Sequence, residues 1–194
     1  GSPFKIMNAL VALQEGAITP ETTFTCYHGF YVGRTKRGCH CGGGQRDLNS
    51  GIYKSCNAYF AGVFRKIFDK YPTAEEAQDV WQKDIESFGL GGFLGYDLPT
   101  GRPGRIPGKD IYDKWYGENR WSSSTIISNS IGQGEVAATP IQLANMTAAI
   151  ANRGFYYTPH IIKKIAGENI HIPEYTVAKH TAIDKQYFEP VVQG

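Results

Sequence analysis

Glycine and proline are placed in this chain so that regular structure can run only in certain stretches. Between Gly89 and Gly108 they are too dense for a regular element. From Thr19 to Ser50 a polar, glycine-rich run with Gly42-Gly43-Gly44 at its centre reads as a long loop holding at most short strands around Phe30-Tyr31-Val32. Helical signals fill the rest. Residues 2–15 read as a helix: Pro3 suits a first helical position, Phe4, Met7, Leu10 and Val11 share one face, and Gly16 sits where a C-terminal cap belongs. A second helix is predicted over about Asn57–Phe68. A third begins at Thr73, where Thr73 and Glu76 spell a capping box, and runs to about Phe88. A fourth opens at Thr139-Pro140-Ile141-Gln142 and ends near Arg153-Gly154, with Leu143, Met146, Thr147 and Ile150 as its buried stripe. Tyr112–Trp121 reads as an aromatic, irregular surface excursion. The pattern is that of a mainly α domain.

The 194 residues suffice for one domain with a core, and the 20 basic residues nearly balance the 18 acidic ones. Charge therefore points neither to nucleic acid nor to an anionic membrane surface. No apolar run approaches a membrane span, and no signal peptide opens the chain. The helix pattern is already under way at Gly1-Ser2 and no stop signal precedes Gly194, so both ends read as cuts in a longer protein.

Three groups of residues could carry chemistry. In Ser2-Pro3-Phe4-Lys5 a three-residue offset on a helix places a hydroxyl and an amine on one face, one turn apart. A lysine whose pKa is depressed can take the serine proton, and the positive end of a helix both disfavours a further cation and aims N–H groups at a developing oxyanion. The alternative is that Ser2 is an N-cap, although a lysine in the first turn opposes the helix dipole. In Ser55-Cys56-Asn57 a hydroxyl and an amide two residues apart can relay a proton and hold a substrate amide; here too the alternative is an N-cap for the helix that follows. The third group is Cys26, His28, Cys39, His40, Cys41 and Cys56. Zinc takes four thiolate or imidazole ligands, so Cys26, Cys39, Cys41 and Cys56, with His40 as first substitute, form a candidate structural site that would staple the loop beside the second motif. A Cys39–Cys41 bridge is geometrically poor, but disulfides from Cys26 to Cys39 or Cys41, or free thiols, remain open. No cofactor is expected for catalysis itself. His160, His171 and His180 are scattered and read as surface or loop residues, and Lys163-Lys164 as a solvated pair. Tyr112, Trp115, Tyr116 and Trp121 read as packing for the excursion.

S-x-x-K followed about fifty residues later by S-x-N is the pattern of the penicillin-recognising serine enzymes, whose third motif is Lys-Thr-Gly. Ser130-Ile131-Gly132-Gln133-Gly134, Thr139-Pro140-Ile141-Gln142-Leu143-Ala144, Asn152-Arg153-Gly154, Pro159-His160, Phe88-Gly89-Leu90-Gly91 and Asp97-Leu98-Pro99 extend the match over nearly the whole chain. The sequence resembles the transpeptidase domain of class B penicillin-binding proteins, most of all the elongation-type penicillin-binding protein 2 branch. The resemblance implies the helical lobe of the penicillin-binding protein/serine β-lactamase-like transpeptidase fold, α+β in the intact parent, with residues 1–194 a partial transpeptidase domain ending before the strand that carries Lys-Thr-Gly. No Lys-Thr-Gly occurs in the sequence. The resemblance assigns Ser2 as acylated nucleophile, Lys5 as its base, Ser55 as proton relay and Asn57 as the substrate-holding amide. It implies a DD-transpeptidase acting on D-Ala-D-Ala stem peptides of peptidoglycan and acylated by β-lactams. The parent would be anchored at the periplasmic face of the bacterial inner membrane by an N-terminal segment absent here and would work with a glycan-polymerising partner of the elongation machinery. Three other readings stand beside it: a β-lactamase or DD-carboxypeptidase that shares the first motif, although no glutamate suggests itself as a deacylating base and the downstream phrases favour a transpeptidase; a β-lactam-sensing module with the same serine and lysine; and a zinc-stapled, non-catalytic interaction domain whose serines are only caps.

Overall fold

The computed structural model describes residues 1–98, 100–163 and 172–194. Pro99, Lys164 and His171 lie outside the described residues. The helices are α1 (Lys5–Gln14), α2 (Leu48–Tyr53), α3 (Asn57–Phe68), α4 (Ala74–Glu86), α5 (Lys109–Tyr116), α6 (Pro140–Ala151), α7 (Pro173–Thr176) and α8 (Phe188–Gln193). Short strands β1 (Phe24–Cys26), β2 (Gly29–Val32), β3 (Thr35–Gly38), β4 (Gly44–Arg46), β5 (Phe155–Tyr156) and β6 (Lys179–His180) form the antiparallel pairs β1–β4, β2–β3 and β5–β6. Among the described residues no helix is long and apolar enough to cross a membrane.

Helix α1 is the centre of the fold. Met7 through Leu13 are all buried, so the helix is enclosed on every side, and it packs against α3, α4 and α8. Its N-terminal approach is tighter than the apolar spacing suggests: Ser2–Phe4 form a 3₁₀ turn and the α-helix proper starts at Lys5. Around α1 stack Phe4, Phe64 and Trp81, with the Phe64 ring edge-on to Trp81 at 5.7 Å. The one polar residue inside this apolar stretch, Asn8, is fully used. Its Oδ1 accepts from Trp81 Nε1 (2.7 Å), and its Nδ2 donates to the carbonyls of Ser130 (2.9 Å) and Asn129 (3.3 Å). Asn129 Nδ2 then donates to Tyr112 Oη (2.6 Å), which donates to Glu135 (3.1 Å). This chain ties the central helix to residues 127–135. We expect Asn8→Leu to cost about 2–3 kcal/mol in urea unfolding, because it orphans a buried indole N–H and two carbonyls at once. A loss under about 0.5 kcal/mol would show that the network contributes nothing net.

The same device holds the Gly/Pro-rich segment that no ladder can hold. Gln142 Nε2 on α6 donates to the carbonyls of Gly92 and Pro103 (both 2.8 Å), Asn145 to Phe88 (2.9 Å), and Gln78 on α4 to Pro107 (2.6 Å). Buried side-chain amides thus satisfy backbone carbonyls that have no strand partner. The predicted stripe of α6 is corrected accordingly. Met146 and Ile150 are buried, but so are Gln142, Asn145 and Ala149, whereas Thr147 is exposed and returns its hydroxyl to Leu143 O. Thr139 and Gln142 do form the reciprocal capping box. Thr73 caps α4 through Glu76 N.

Two further readings change. The excursion at Tyr112–Trp121 is partly helical (α5) and partly core: Tyr112 is fully buried and Trp121 nearly so, while Trp115 and Tyr116 are exposed. The polar loop also ends earlier than Ser50, because Asp47 and Ser50 form a capping box that starts α2.

Candidate active site and the adjoining cysteine cluster

Ser2 and Lys5 meet as their spacing demands. Lys5 Nζ lies 3.3 Å from Ser2 Oγ, and α1 turns the same nitrogen toward a residue 50 positions away: Ser55 Oγ at 2.8 Å and Ser55 O at 2.6 Å. Neither Ser2 nor Ser55 acts as a cap. The turn at Ser2 has no side-chain cap, and α3 is capped by Cys56, whose Sγ accepts from Tyr59 N–H. Ser55 itself has φ +49°, a left-handed conformation uncommon outside glycine, and this turns its hydroxyl and carbonyl together toward the amine.

Lys5 is 3% exposed, and burial lowers its pKa from the ordinary lysine value; the nearby cysteines pull the other way. An uncharged Lys5 has two N–H donors and one lone pair. Ser55 O must accept, Ser55 Oγ can accept, and the lone pair is left for the hydrogen of Ser2 Oγ. The three atoms can therefore move a proton between two hydroxyls through one amine. Gly132 closes the other side: the Gly1 backbone nitrogen donates to its carbonyl, and a Cβ there would stand 2.4 Å from Phe4 Cβ. Only glycine fits this approach at φ +65°. The sequence phrase Ser130–Gly134 contains this wall, but its spacing alone does not disclose it.

Asn57, the first residue of α3, is held by the cysteine-rich hairpin. Its Nδ2 donates to Gly38 O (3.1 Å) and its N–H to Cys39 Sγ (3.1 Å). The amide oxygen makes no hydrogen bond among the described residues. A cavity of about 450 Å³ opens beside it, bounded by Ser128, Gln133 and Gly134 across the gap.

Cys26 ends β1, Cys39 and Cys41 follow β3, and Cys56 precedes α3, so the nested pairs β1–β4 and β2–β3 bring four distant residues to one point. All four are buried and free of disulfides, and their sulfurs lie within 4.8 Å of one another, with Cys41–Cys56 at 3.0 Å and Cys39–Cys56 at 3.7 Å. Tetrahedral zinc with Zn–S of about 2.3 Å sets sulfurs about 3.8 Å apart, so this donor set fits the ion. Burial pushes the Cys56 thiol up. It pushes Cys41 up as well, but hydrogen bonds from Cys56, Cys26, Cys39 and the Gly43 backbone outweigh it and bring Cys41 down to about 6. A thiolate in the group is thus stabilised by its neighbours. Gly42, Gly43 and Gly44 all have positive φ, and a Cβ on Gly43 would lie 2.8 Å from the His28 ring. His28 and His40 are exposed and outside the sulfur group. His160, stacked on Tyr175, and His180 are exposed and away from Ser2.

The family model described as the penicillin binding protein transpeptidase domain matches residues 1–194. Among curated relatives, the peptidoglycan D,D-transpeptidase MrdA of Haemophilus influenzae is 34% identical over 171 residues, which is 86% of this chain and 25% of the relative. The chain thus spans about a quarter of that relative's length. Among solved structures, Pseudomonas aeruginosa PBP2 in complex with WCK 5153 superposes with a TM-score of 0.81 at 27% identity, over 98% of this chain and 42% of that one. PBP2 in its complex with MreC from Helicobacter pylori gives 0.73 at 25% identity, over 100% and 32%. With the amine–hydroxyl triad in place and the whole chain matched, this protein belongs to the penicillin-binding protein transpeptidase-domain family.

Proposed function

We propose that the whole protein carrying this chain is a peptidoglycan DD-transpeptidase of the penicillin-binding protein 2 type, working through an acyl-serine. The observation that carries the reading is a single buried amine, Lys5 Nζ, touching both the Ser2 and Ser55 hydroxyls. Lys5 takes the Ser2 proton as Oγ attacks the carbonyl of the penultimate D-alanine. Ser55 passes a proton to the departing nitrogen, the terminal D-alanine leaves, and the acyl group stays on Ser2. An amine of a neighbouring stem peptide then attacks the ester, loses a proton through the same pair of groups, and releases Ser2. Asn57 holds the donor's backbone amide through its free oxygen. β-Lactams enter by the same attack, and their acyl-enzyme persists.

We propose further that the whole protein is anchored at the periplasmic face of the inner membrane and works in an elongation assembly; that a relative is found in complex with MreC supports its having a protein partner. We also propose that Cys26, Cys39, Cys41 and Cys56 hold a structural zinc. A closed four-sulfur site leaves no open coordination position, so the ion would supply rigidity and take no part in acyl transfer.

The test is intact-mass spectrometry of the whole protein after incubation with benzylpenicillin, followed by peptide mapping. We expect one adduct, on the peptide containing Ser2. A folded protein with no adduct would leave the zinc-stapled interaction domain as the reading. An adduct that turns over to free enzyme within seconds would point instead to a hydrolase.

A further inference from the structure

The cavity beside Asn57 contains one charged group, and nothing in the proposed chemistry uses it. Arg37, on β3, lines the cavity together with Phe30, Ser128 and Gln133. Its guanidinium makes no hydrogen bond or ion pair among the described residues, and no carboxylate lines the space. The surrounding sequence has the same bias: from Thr22 to Arg46 there are Arg34, Lys36, Arg37 and Arg46 and no aspartate or glutamate. An unpaired arginine on a mobile loop would mean little, but this one is fixed at its base. Arg37 pairs with Phe30 across the hairpin, Gly38 O receives the Asn57 side-chain amide at 3.1 Å, and Cys39 Sγ receives the Asn57 N–H at 3.1 Å. The backbone at residue 37 is thus tied, through Gly38 and Cys39, to Asn57.

We infer that Arg37 is a specificity-determining residue that receives a side-chain carboxylate of the peptide substrate in the cavity beside Asn57. The inference rests on the proposed transpeptidase reading, which makes the ligand a peptide; the anionic groups a peptide offers are carboxylates. A planar guanidinium presents a fork of parallel N–H donors that matches a carboxylate edge to edge, which an amide or a hydroxyl does not. Ser128 and Gln133 supply uncharged partners for the remaining oxygen lone pairs.

The experiment is a double-mutant cycle across enzyme and substrate, using the whole protein. Stem-peptide mimics are prepared with every side-chain carboxylate free, or with one at a time converted to a primary amide. We expect wild type to lose about tenfold in kcat/KM on amidation of one particular carboxylate, which identifies the group bound. Arg37→Gln should lose about the same on the free peptide and nothing more on that amidated peptide. Arg37→Lys should recover part of the loss. A loss from Arg37→Gln that is equal on all peptides, free and amidated alike, would overturn the inference and leave Arg37 a support for the hairpin at Asn57, and no loss on any peptide would overturn it and leave Arg37 a solvated surface group. A benzylpenicillin adduct at Ser2 in that case would leave the transpeptidase reading standing, whereas no adduct in wild type would overturn both.

Discussion

Replacing Lys5 with methionine in the whole protein is expected to slow benzylpenicillin acylation of Ser2 by about a thousandfold, read as the second-order rate of adduct formation. Methionine keeps most of the buried stem and removes the nitrogen, so packing around α1 is preserved while both hydroxyls lose their common partner. Burial is the reason the native amine can serve as a base at all. It lowers the Lys5 pKa, so the uncharged form is present at a pH where a solvent-exposed lysine is almost wholly protonated. Acylation should therefore rise with pH and level off above the lowered pKa, and that limb should vanish in Lys5→Met. The stability linkage has a definite sign. The unfolded chain binds the lysine proton more tightly than the native one, so native stability rises with pH between the folded pKa and the unfolded value of 10.5. Below the folded pKa the full burden of burying the ammonium is present. Lys5→Met should accordingly be at least as stable as wild type at neutral pH, although the removal of a partner for Ser55 O works against this. A stable variant that acylates within tenfold of wild type would remove Lys5 from the role of base.

How far such a site can be read from sequence depends on the range of the forces that build it. The Ser2–Lys5 contact is local, set by one helical turn, and the motif spacing discloses it. The α3 boundaries at Asn57 and Phe68 and the start of α6 at Pro140 are equally legible, because caps and apolar periodicity fall in the same residues. Short helices are harder. α5 offers barely two turns of mixed aromatic and charged residues behind an uncapped Gly108, and Tyr112 bonds to Asn129, 17 positions away, a partner that the spacing within the segment does not disclose. The cap of α3 is neither Ser55 nor Asn57, the alternatives the motif offers, but Cys56 between them, because the left-handed turn at Ser55 sets that residue apart from the helix start. That displacement is what frees the Ser55 hydroxyl to reach Lys5. The buried amides of Gln78, Gln142 and Asn145 are a further case: these polar residues lie outside the apolar stripe that periodicity marks, yet they are interior, because the irregular segment 89–108 leaves carbonyls that side chains satisfy.

Substituting Cys56 separates the two tasks that this residue combines. We expect the protein to carry about one zinc per chain by elemental analysis, and Cys56→Ser to lose it with a fall in stability on the order of 4 kcal/mol. Serine retains an oxygen able to cap α3 at Tyr59 N–H, so the loss would report the thiolate and not the cap. Cys39→Ser, in which a serine oxygen can still accept from Asn57 N–H, should produce a similar fall; a much smaller one would mean that the four sulfurs do not act as a unit. A strong chelator under reducing conditions should lower the melting temperature of wild type by on the order of 10 °C and leave Cys56→Ser unchanged. Acylation should fall with the metal, because Cys56 lies between Ser55 and Asn57 and Cys39 Sγ holds the Asn57 N–H; release of the cluster frees the hairpin and the turn together. The competing chemistry is a pair of disulfides. Denaturation without reductant followed by alkylation distinguishes them, since a zinc-bound or reduced cluster yields all four thiols and bridged cysteines yield none. Metal-free protein with four reactive thiols and no response to the chelator would leave the cluster as an apolar packing site, and the hairpin would then be held only by its ladder and its bonds to Asn57.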